Sequence, residues 1–163
     1  MRAEGTLVGI ARRDQRRAPM ECVERGFISL REGLVGDHKG PKFPERAITV
    51  LAEEDWAAAL SDLSTPYRRL EWWHRRANLL IRGLRLPRAI GAELQIGEAH
   101  LRVTRPTTPC RRMDEVAPGL LKALTPNWRG GLTCKVVGGG QIALGDSVIL
   151  LTSPVERQRR LPG

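Results

Sequence analysis

Two segments of the chain share one pattern, in which a glycine followed by an acidic residue separates two short apolar runs. The first segment is residues 94–101, centred on Gly97, and the second is residues 142–149, centred on Gly145. Such a pattern predicts a β-hairpin, because glycine accepts the backbone conformations that tight turns between strands require. The repeated pattern therefore favours a fold that contains antiparallel strands.

The rest of the chain predicts more short strands and few helices. A helix is predicted over residues 52–63 and another over residues 114–124, with a break at residues 118–119. Residues 33–41 hold three glycines and a proline and predict a loop. Many short strands without sustained βαβ alternation predict a closed or sandwich-like β structure. The additional strands are predicted at residues 6–11, 21–30, 47–51, 79–81 and 132–137.

Length and hydropathy indicate one domain. The chain has 163 residues, which suits a single domain over residues 1–163. The polar, basic segment at residues 153–163 predicts a flexible tail. No apolar run approaches the roughly 20 residues of a membrane span, and we expect no membrane association. We therefore expect a cytoplasmic protein.

The charge predicts an anionic ligand. Twenty-seven Lys and Arg residues outnumber 18 Asp and Glu residues, which gives a formal net charge of +9. Only 4% of residues are aromatic, which is poor for stacking on bases. The composition therefore favours a phosphate-bearing ligand, and a basic nucleic-acid-binding module remains an alternative.

Three cysteines, an odd number without a CxxC spacing, argue against a disulfide framework and against a zinc site. Cys134 lies in an apolar strand, which predicts a buried side chain, and Cys22 is interpreted as structural. Cys110 follows a proline and precedes Arg111 and Arg112, and nearby guanidinium groups predict a lowered thiol pKa. The residues alone leave two interpretations of Cys110 open, a reactive or metal-binding thiolate and an inert buried cysteine.

Three other short segments combine charged groups with small or amide residues. Asp37 and Lys39 lie in the glycine-rich loop at residues 33–41, which is a binding edge or a solvated turn. Residues 75–78 (Arg-Arg-Ala-Asn) offer two cations and an amide to a phosphate, or form a basic strand edge. In residues 128–131, an arginine precedes two glycines whose N–H groups can approach an anion.

Taken in order, these segments resemble the MOSC domain, the module named for the C-terminus of molybdenum cofactor sulfurase. The resemblance extends over residues 5–151 and is strongest to small stand-alone bacterial members. It rests on the order and spacing of seven segments, at residues 36–39, 45–50, 75–79, 96–98, 109–113, 129–132 and 138–146.

The resemblance implies a mostly β fold, an antiparallel β-barrel with a few short peripheral helices. It also implies binding of the molybdenum cofactor, a pterin dithiolene that carries a phosphate (molybdopterin). Cys110 matches the cysteine that coordinates molybdenum in the amidoxime-reducing members, which makes it the predicted metal ligand and catalytic residue. The predicted cofactor-binding residues are Arg76, Asn78, Arg46, Asp37, Lys39, Arg129 and Gly130.

The sequence also departs from the family pattern. Thr107 stands where many small members carry the first cysteine of a Cys-x-Pro-Cys pattern. The members with a known reductase role are longer, and other members are fused to a cysteine desulfurase domain that uses pyridoxal phosphate. We therefore expect pyridoxal phosphate only through a partner desulfurase and not in this chain.

Two functions follow from the resemblance. The first is an oxidoreductase that reduces N-hydroxylated compounds with electrons from a separate redox partner protein. The second is a non-catalytic carrier or delivery module for sulfur or the sulfurated cofactor, in which Cys110 carries a persulfide. Nucleic-acid binding, the third function considered, is disfavoured by the low aromatic content.

Overall fold

The computed structural model describes residues 3–63 and 70–154 of the chain. Strands form most of its regular structure, as the sequence predicts. In chain order they are β1 (Glu4–Arg12), β2 (Glu21–Cys22), β3 (Arg25–Ser29), β4 (Gly33–Leu34), β5 (Ile48–Ala52), β6 (Leu79–Arg82), β7 (Glu93–Ile96), β8 (Ala99–Pro106), β9 (Leu132–Gly138), β10 (Gly140–Ala143) and β11 (Ser147–Thr152).

Seven of these strands close into a barrel. Around its wall the order is β1, β11, β7, β8, β9, β5 and β6, and β6 returns to β1. Every neighbouring pair is antiparallel except β5 and β6, which are parallel. β2 extends the wall beyond β1, and β10, β3 and β4 form a separate three-stranded sheet. The mostly antiparallel β-barrel predicted from the sequence is confirmed.

The two glycine-acid segments behave differently. Gly97, with φ +55°, forms the turn between β7 and β8, which pair directly as a hairpin. Gly145, with φ +94°, forms a turn between β10 and β11, but these strands diverge into different sheets. The hairpin predicted at residues 142–149 is therefore wrong in its pairing, because the backbone of Leu7 bonds to both turn residues, Gly145 and Asp146, and brings in β1.

The helices are short and lie outside the barrel. They are α1 (Lys39–Lys42), α2 (Glu53–Ser61), α3 (Arg112–Val116) and α4 (Leu120–Leu124), with 3₁₀ turns at Pro44–Arg46, Trp72–Arg75 and Pro126–Trp128. α2 confirms the helix predicted at residues 52–63, and α3 and α4 confirm the interrupted helix at residues 114–124. The loop predicted at residues 33–41 is wrong in part, because the segment contains β4, which pairs with the distant β3, and α1.

β5 is buried at every position because both of its faces are covered. Val50 belongs to the cluster that fills the barrel, together with Leu101, whereas Leu51 packs outward against Trp56 and Leu120. Each fully buried leucine contributes about 1.5–3 kcal/mol relative to an exposed one. Burial on both faces fixes the position of β5 and of its neighbour β6, whose starting ends carry the candidate site.

In the part of the chain that the structure describes, none of the helices combines the length and the hydropathy that crossing a membrane requires. Ser153, which is buried, and Pro154 are the last described residues. The rest of the tail predicted at residues 153–163 lies outside the described residues.

Candidate functional site

Asn78 joins three parts of the barrel immediately before β6. Its side-chain Oδ1 accepts hydrogen bonds from the Thr49 backbone N–H at 2.9 Å and from Lys39 Nζ at 3.3 Å. Its Nδ2 donates to the Ala11 carbonyl at 3.2 Å, and the side chain is almost fully buried. Asn78, predicted to bind a cofactor, therefore lies behind Lys39 and holds that lysine in place.

Lys39 is a half-buried cation that two neighbouring side chains hold in the site. Its ammonium donates to Thr49 Oγ1 at 2.6 Å as well as to Asn78. The pKa of Lys39 is lowered to about 8, chiefly by burial; Asp37 opposes this shift, and the charges of nearby Arg13, Arg46 and Arg75 add to it. An anion that approaches this ammonium therefore stabilises its charged form.

Asp37 organises the loop that carries Lys39. The carboxylate is buried, and it accepts hydrogen bonds from the backbone N–H groups of Arg13 at 3.1 Å and Lys39 at 3.3 Å. These bonds fix the loop before α1 against the segment after β1. Asp37 therefore lies in the predicted site, where it positions Arg13 and Lys39.

Arg75 is a buried arginine at the end of the 3₁₀ turn before β6. Its Nη2 donates to the Thr107 carbonyl at 3.3 Å, and its Nη1 lies 3.9 Å from Met113 Sδ. Its Nε is buried without a hydrogen-bond partner among the described residues. The pKa of Arg75 is lowered to about 10, chiefly by burial, and a thiolate at Cys110 would oppose this shift. The guanidinium therefore lies near Cys110 and carries one N–H donor without a partner among the described residues.

Arg13 and Arg76 complete what we call the cationic cluster: Arg13, Lys39, Arg75 and Arg76. Burial lowers the pKa of Arg13, as do Arg76 and Arg112, while Asp37 raises it. Its Nη1 is buried with no hydrogen-bond partner in the described part of the chain. Arg76 adopts a left-handed backbone, with φ +65°, and donates from Nη1 to the Ala18 carbonyl at 3.1 Å. With this backbone conformation, the consecutive side chains of Arg75 and Arg76 donate to different carbonyls, those of Thr107 and Ala18.

The loop before α3 carries the exposed Cys110. The Thr107 N–H donates to the Gly131 carbonyl at 2.9 Å, and the Thr107 carbonyl accepts from Arg75. A Cβ on Gly130 would lie 2.7 Å from the Thr107 oxygen and 3.1 Å from Arg75 Nη2. Gly130 thus lies against Arg75 and against the loop that carries Cys110.

The other two cysteines differ in their surroundings. Cys134 is fully buried in the barrel, and burial raises its pKa to about 12, which confirms the prediction of a packed side chain. Cys22 is exposed, although it was interpreted as structural, and its pKa is raised by partial burial and by Glu71. Cys110 and Cys22 are therefore the exposed thiols of the described residues.

Two predicted arginines lie outside the cationic cluster. The Arg129 guanidinium forms an ion pair with Asp62 after α2 and donates to the Ala123 carbonyl at 3.2 Å. The structure therefore directs it towards α2 and α4. Arg46 stacks over the Phe43 ring, with its guanidinium carbon 4.2 Å from the ring centroid, and flanks the cluster on the Lys39 side.

Sequence reasoning missed two members of the cluster. Arg75 was noted in the segment at residues 75–78 but not selected, since nothing local distinguishes it from Arg76. Arg13 was not selected at all, because its role comes from contacts with Asp37 and Arg76, which are distant in sequence. The one local signal for a cation at this place was the pair of adjacent arginines, Arg75 and Arg76, before a predicted strand.

The arrangement suits an anion next to a soft ligand. The cationic cluster contains four cations, whereas Asp37 is the buried carboxylate of the described residues and is already engaged by backbone N–H groups. Arginine donors bind phosphate oxygens in pairs. An exposed thiol beside Arg75 adds a ligand for a thiophilic metal or a carrier of sulfur.

Comparisons with known proteins agree with this architecture. The model of the MOSC domain family matches residues 36–149. The YuaD protein from Bacillus subtilis superposes with a TM-score of 0.71 and 18% identity, covering 93% of this chain and 99% of that one. Among curated proteins, none matches the chain.

Two YiiM structures are also similar. YiiM from Escherichia coli has a TM-score of 0.68 and 17% identity, covering 93% of this chain and 70% of that one. YiiM from Geobacillus stearothermophilus has a TM-score of 0.69 and 18% identity, covering 91% and 75%. At these identities the likeness shows the fold, the same barrel that the strand order describes.

Proposed function

The chain belongs to the MOSC domain family, and on that premise we propose that it binds the molybdenum cofactor between the cationic cluster and Cys110. The family is associated with functions of the molybdenum cofactor. The observation that carries the proposal is the pair of buried, unpartnered donors, Arg13 Nη1 and Arg75 Nε, within one cluster of cations.

The residues present fit the phosphate of the cofactor. A buried donor without a partner costs about 1–3 kcal/mol, which an acceptor on a ligand would recover. Arg13 and Arg75 each carry such a donor, and burial lowers the pKa of both. The charges of Arg76 and Arg112 lower the pKa of Arg13 further. A phosphate would supply the acceptors and the negative charge. Lys39 and Arg76 would complete its neutralisation, with Asn78 and Asp37 as positioning residues.

Cys110 fits the metal. Its thiol is exposed and close enough to Arg75 to affect the pKa of that guanidinium, and thiolate is a soft ligand. When bound, the cofactor supplies redox chemistry and abstraction of an oxygen atom. Gly130 leaves the space in which Arg75 lies, and Arg75 in turn ties down the Thr107 carbonyl of the Cys110 loop. This chain would thus fix the thiolate relative to the phosphate site.

The proposed reaction is the reduction of an N-hydroxylated compound. In that reaction the N–O bond breaks, the substrate takes up two electrons from a redox partner protein and two protons from solvent, and an amine and water leave. The protein would act in the cytoplasm as a single domain. The role of this chain is to hold the cofactor, to bind the substrate and to present both to the partner.

The exposure of Cys110 also supports a second function, a carrier for sulfur or the sulfurated cofactor. A persulfide on Cys110 would be open to a partner cysteine desulfurase, and pyridoxal phosphate would belong to that partner. The two functions differ in one measurable respect, because a carrier loaded by a desulfurase gains sulfane sulfur without molybdenum. Cyanolysis of the purified protein detects that sulfur.

The test is the cofactor content of protein produced in a molybdenum-replete host. We expect molybdenum by elemental analysis and oxidised pterin by fluorescence in the wild-type chain. Arg75→Gln and Arg13→Gln should each lower both contents, since a lost charge-assisted contact costs on the order of tenfold in affinity. Arg82→Gln is the matched control, because Arg82 is exposed and paired with Glu53 outside the cluster. Equal contents in all four proteins would contradict the proposal.

A further inference from the structure

Two adjoining cavities lie beside the Cys110 loop, on the side of Arg46. The inner cavity, of about 200 Å³, is lined by Arg46 and Arg105 together with threonine side chains and Pro106. The outer cavity, of about 380 Å³, is lined by the same two arginines and by Phe43 and Pro44 among others. Together they fall in the range of roughly 300–1,000 Å³ that small-molecule sites occupy.

The charge at the junction is positive and available. Among the described residues, neither Arg46 nor Arg105 forms an ion pair. Stacking on Phe43 holds the Arg46 guanidinium in place while its N–H groups remain free to donate. The lining of the inner cavity contains no carboxylate, and the exposed Glu45 lines the outer cavity. The stacked guanidinium of Arg46 and the exposed guanidinium of Arg105 line the same junction and together favour a carboxylate ligand.

The inner cavity also contains an unused hydroxyl. Thr107 Oγ1 is buried without a hydrogen-bond partner in the described part of the chain. The hydroxyls of Thr133 and Thr104 lie 2.9 Å apart and use each other as partners. Thr107 therefore offers a free hydroxyl at the cavity, and it lies three positions before Cys110 in the same loop.

The inner and outer ends of the joined cavities differ in polarity. Threonine side chains and the Cys110 loop line the inner end, whereas Phe43 and Pro44 give the outer end an apolar wall. A ligand that satisfies both ends carries an anionic group on a flat apolar body. An aromatic ring stacks well against Phe43 and proline surfaces, and a carboxylate matches the forks of Arg46 and Arg105.

From these observations we infer that the joined cavities bind a small aromatic carboxylate, with its carboxylate between Arg46 and Arg105 and its ring against Phe43. Binding of such a molecule stands on the cavities alone. Its part in catalysis rests on the proposed function, to which it adds the substrate class of N-hydroxylated aromatic acids. The position of Thr107 would bring the polar part of the ligand next to the Cys110 loop.

The test compares benzoate with benzamide, its neutral counterpart, by calorimetric titration of the purified full chain. We expect benzoate to bind more tightly than benzamide. Arg105→Gln should weaken benzoate on the order of tenfold and leave benzamide unchanged. Thr107→Val is a second variant that keeps every charge and should weaken benzoate by a smaller factor. Arg102→Gln is the control, because Arg102 on the same strand is paired with Glu93.

Three results would overturn the inference: no benzoate binding by the wild-type chain, equal affinity for benzoate and benzamide, or equal weakening by Arg105→Gln and Arg102→Gln. Pterin content measured on the same preparations separates this inference from the proposed function. Arg105→Gln should keep the wild-type pterin content, since Arg105 lies outside the cationic cluster. Benzoate binding by a chain that never holds pterin would uphold the aromatic acid site and reject the cofactor.

Discussion

The backbone of Gly130 lies against the guanidinium of Arg75 with no room between them. A Cβ at residue 130 would lie 3.1 Å from Arg75 Nη2 and 2.7 Å from the Thr107 carbonyl oxygen, to which that guanidinium donates. Three segments far apart in the sequence therefore meet at one point. The position of the Cys110 loop depends on this contact.

We expect Gly130→Ala to disturb both stability and binding. The methyl group must displace Arg75 or the Thr107 carbonyl, at a cost of about 1–3 kcal/mol. Gly138→Ala is the control, because a Cβ there would meet only His100 at 3.5 Å, an ordinary contact. Urea denaturation measures the difference in the free energy of unfolding. Equal stabilities of the two variants would show that the Gly130 contact is loose.

Asn78→Ala should be more damaging than a typical polar substitution. It removes the bonds to the Thr49 N–H, to Lys39 Nζ and to the Ala11 carbonyl at a buried position. We expect a loss of about 2–4 kcal/mol in the free energy of unfolding. Gln95→Ala, which removes a single bond to the Gly97 carbonyl, should cost less. A smaller loss for Asn78→Ala than for Gln95→Ala would contradict the positioning role.

Lys39 should make stability rise with pH just above neutrality. Its pKa is about 8 in the folded chain and about 10.4 when unfolded. Between these values the unfolded chain binds more protons, so the free energy of unfolding increases as pH rises. From pH 8 to pH 9 the increase is on the order of 1 kcal/mol. Urea denaturation at both pH values should show this increase in the wild-type chain and its loss in Lys39→Met, and an unchanged slope would contradict it.

The three thiols should react with iodoacetamide in a defined order. Cys110 is exposed beside Arg75, Cys22 is exposed with a raised pKa, and Cys134 is buried with its pKa raised to about 12. Because the thiolate is the reacting form, we expect Cys110 to be labelled first and Cys134 last. Peptide mass mapping after short labelling of the native protein checks the order. Early labelling of Cys134 would reverse the roles assigned to these cysteines.

Most strands of the barrel are predictable from the sequence because local residue patterns indicate them. Gly97 indicates the β7–β8 turn, and the apolar run at residues 47–51 predicts the strand that becomes β5. Local patterns do not predict how the barrel closes, because closure depends on the pairing of β1 with β11, in which Gly5 lies opposite the distant Val148. The same limit explains the error at residues 142–149, where β1 competes for the turn.

The site was predicted by residue type better than by role. Gly130 lies against Arg75, whose charge also acts on Lys39, but Arg129 pairs with Asp62, which is 67 positions away in the sequence. Asn78 turns inward because three partners on other segments take its amide. Charges identify candidates for an anion site, and only the packing of distant segments decides which of them face it.

The most direct test of the account is the division of labour between Cys110 and the cationic cluster. Cys110→Ala and Cys22→Ala each remove an exposed thiol, and only the first lies beside Arg75. In protein from a molybdenum-replete host, we predict that Cys110→Ala loses molybdenum but keeps much of its pterin. Cys22→Ala should keep both at the wild-type ratio. Molybdenum at the wild-type ratio in Cys110→Ala, measured by elemental analysis beside pterin fluorescence, would contradict the account.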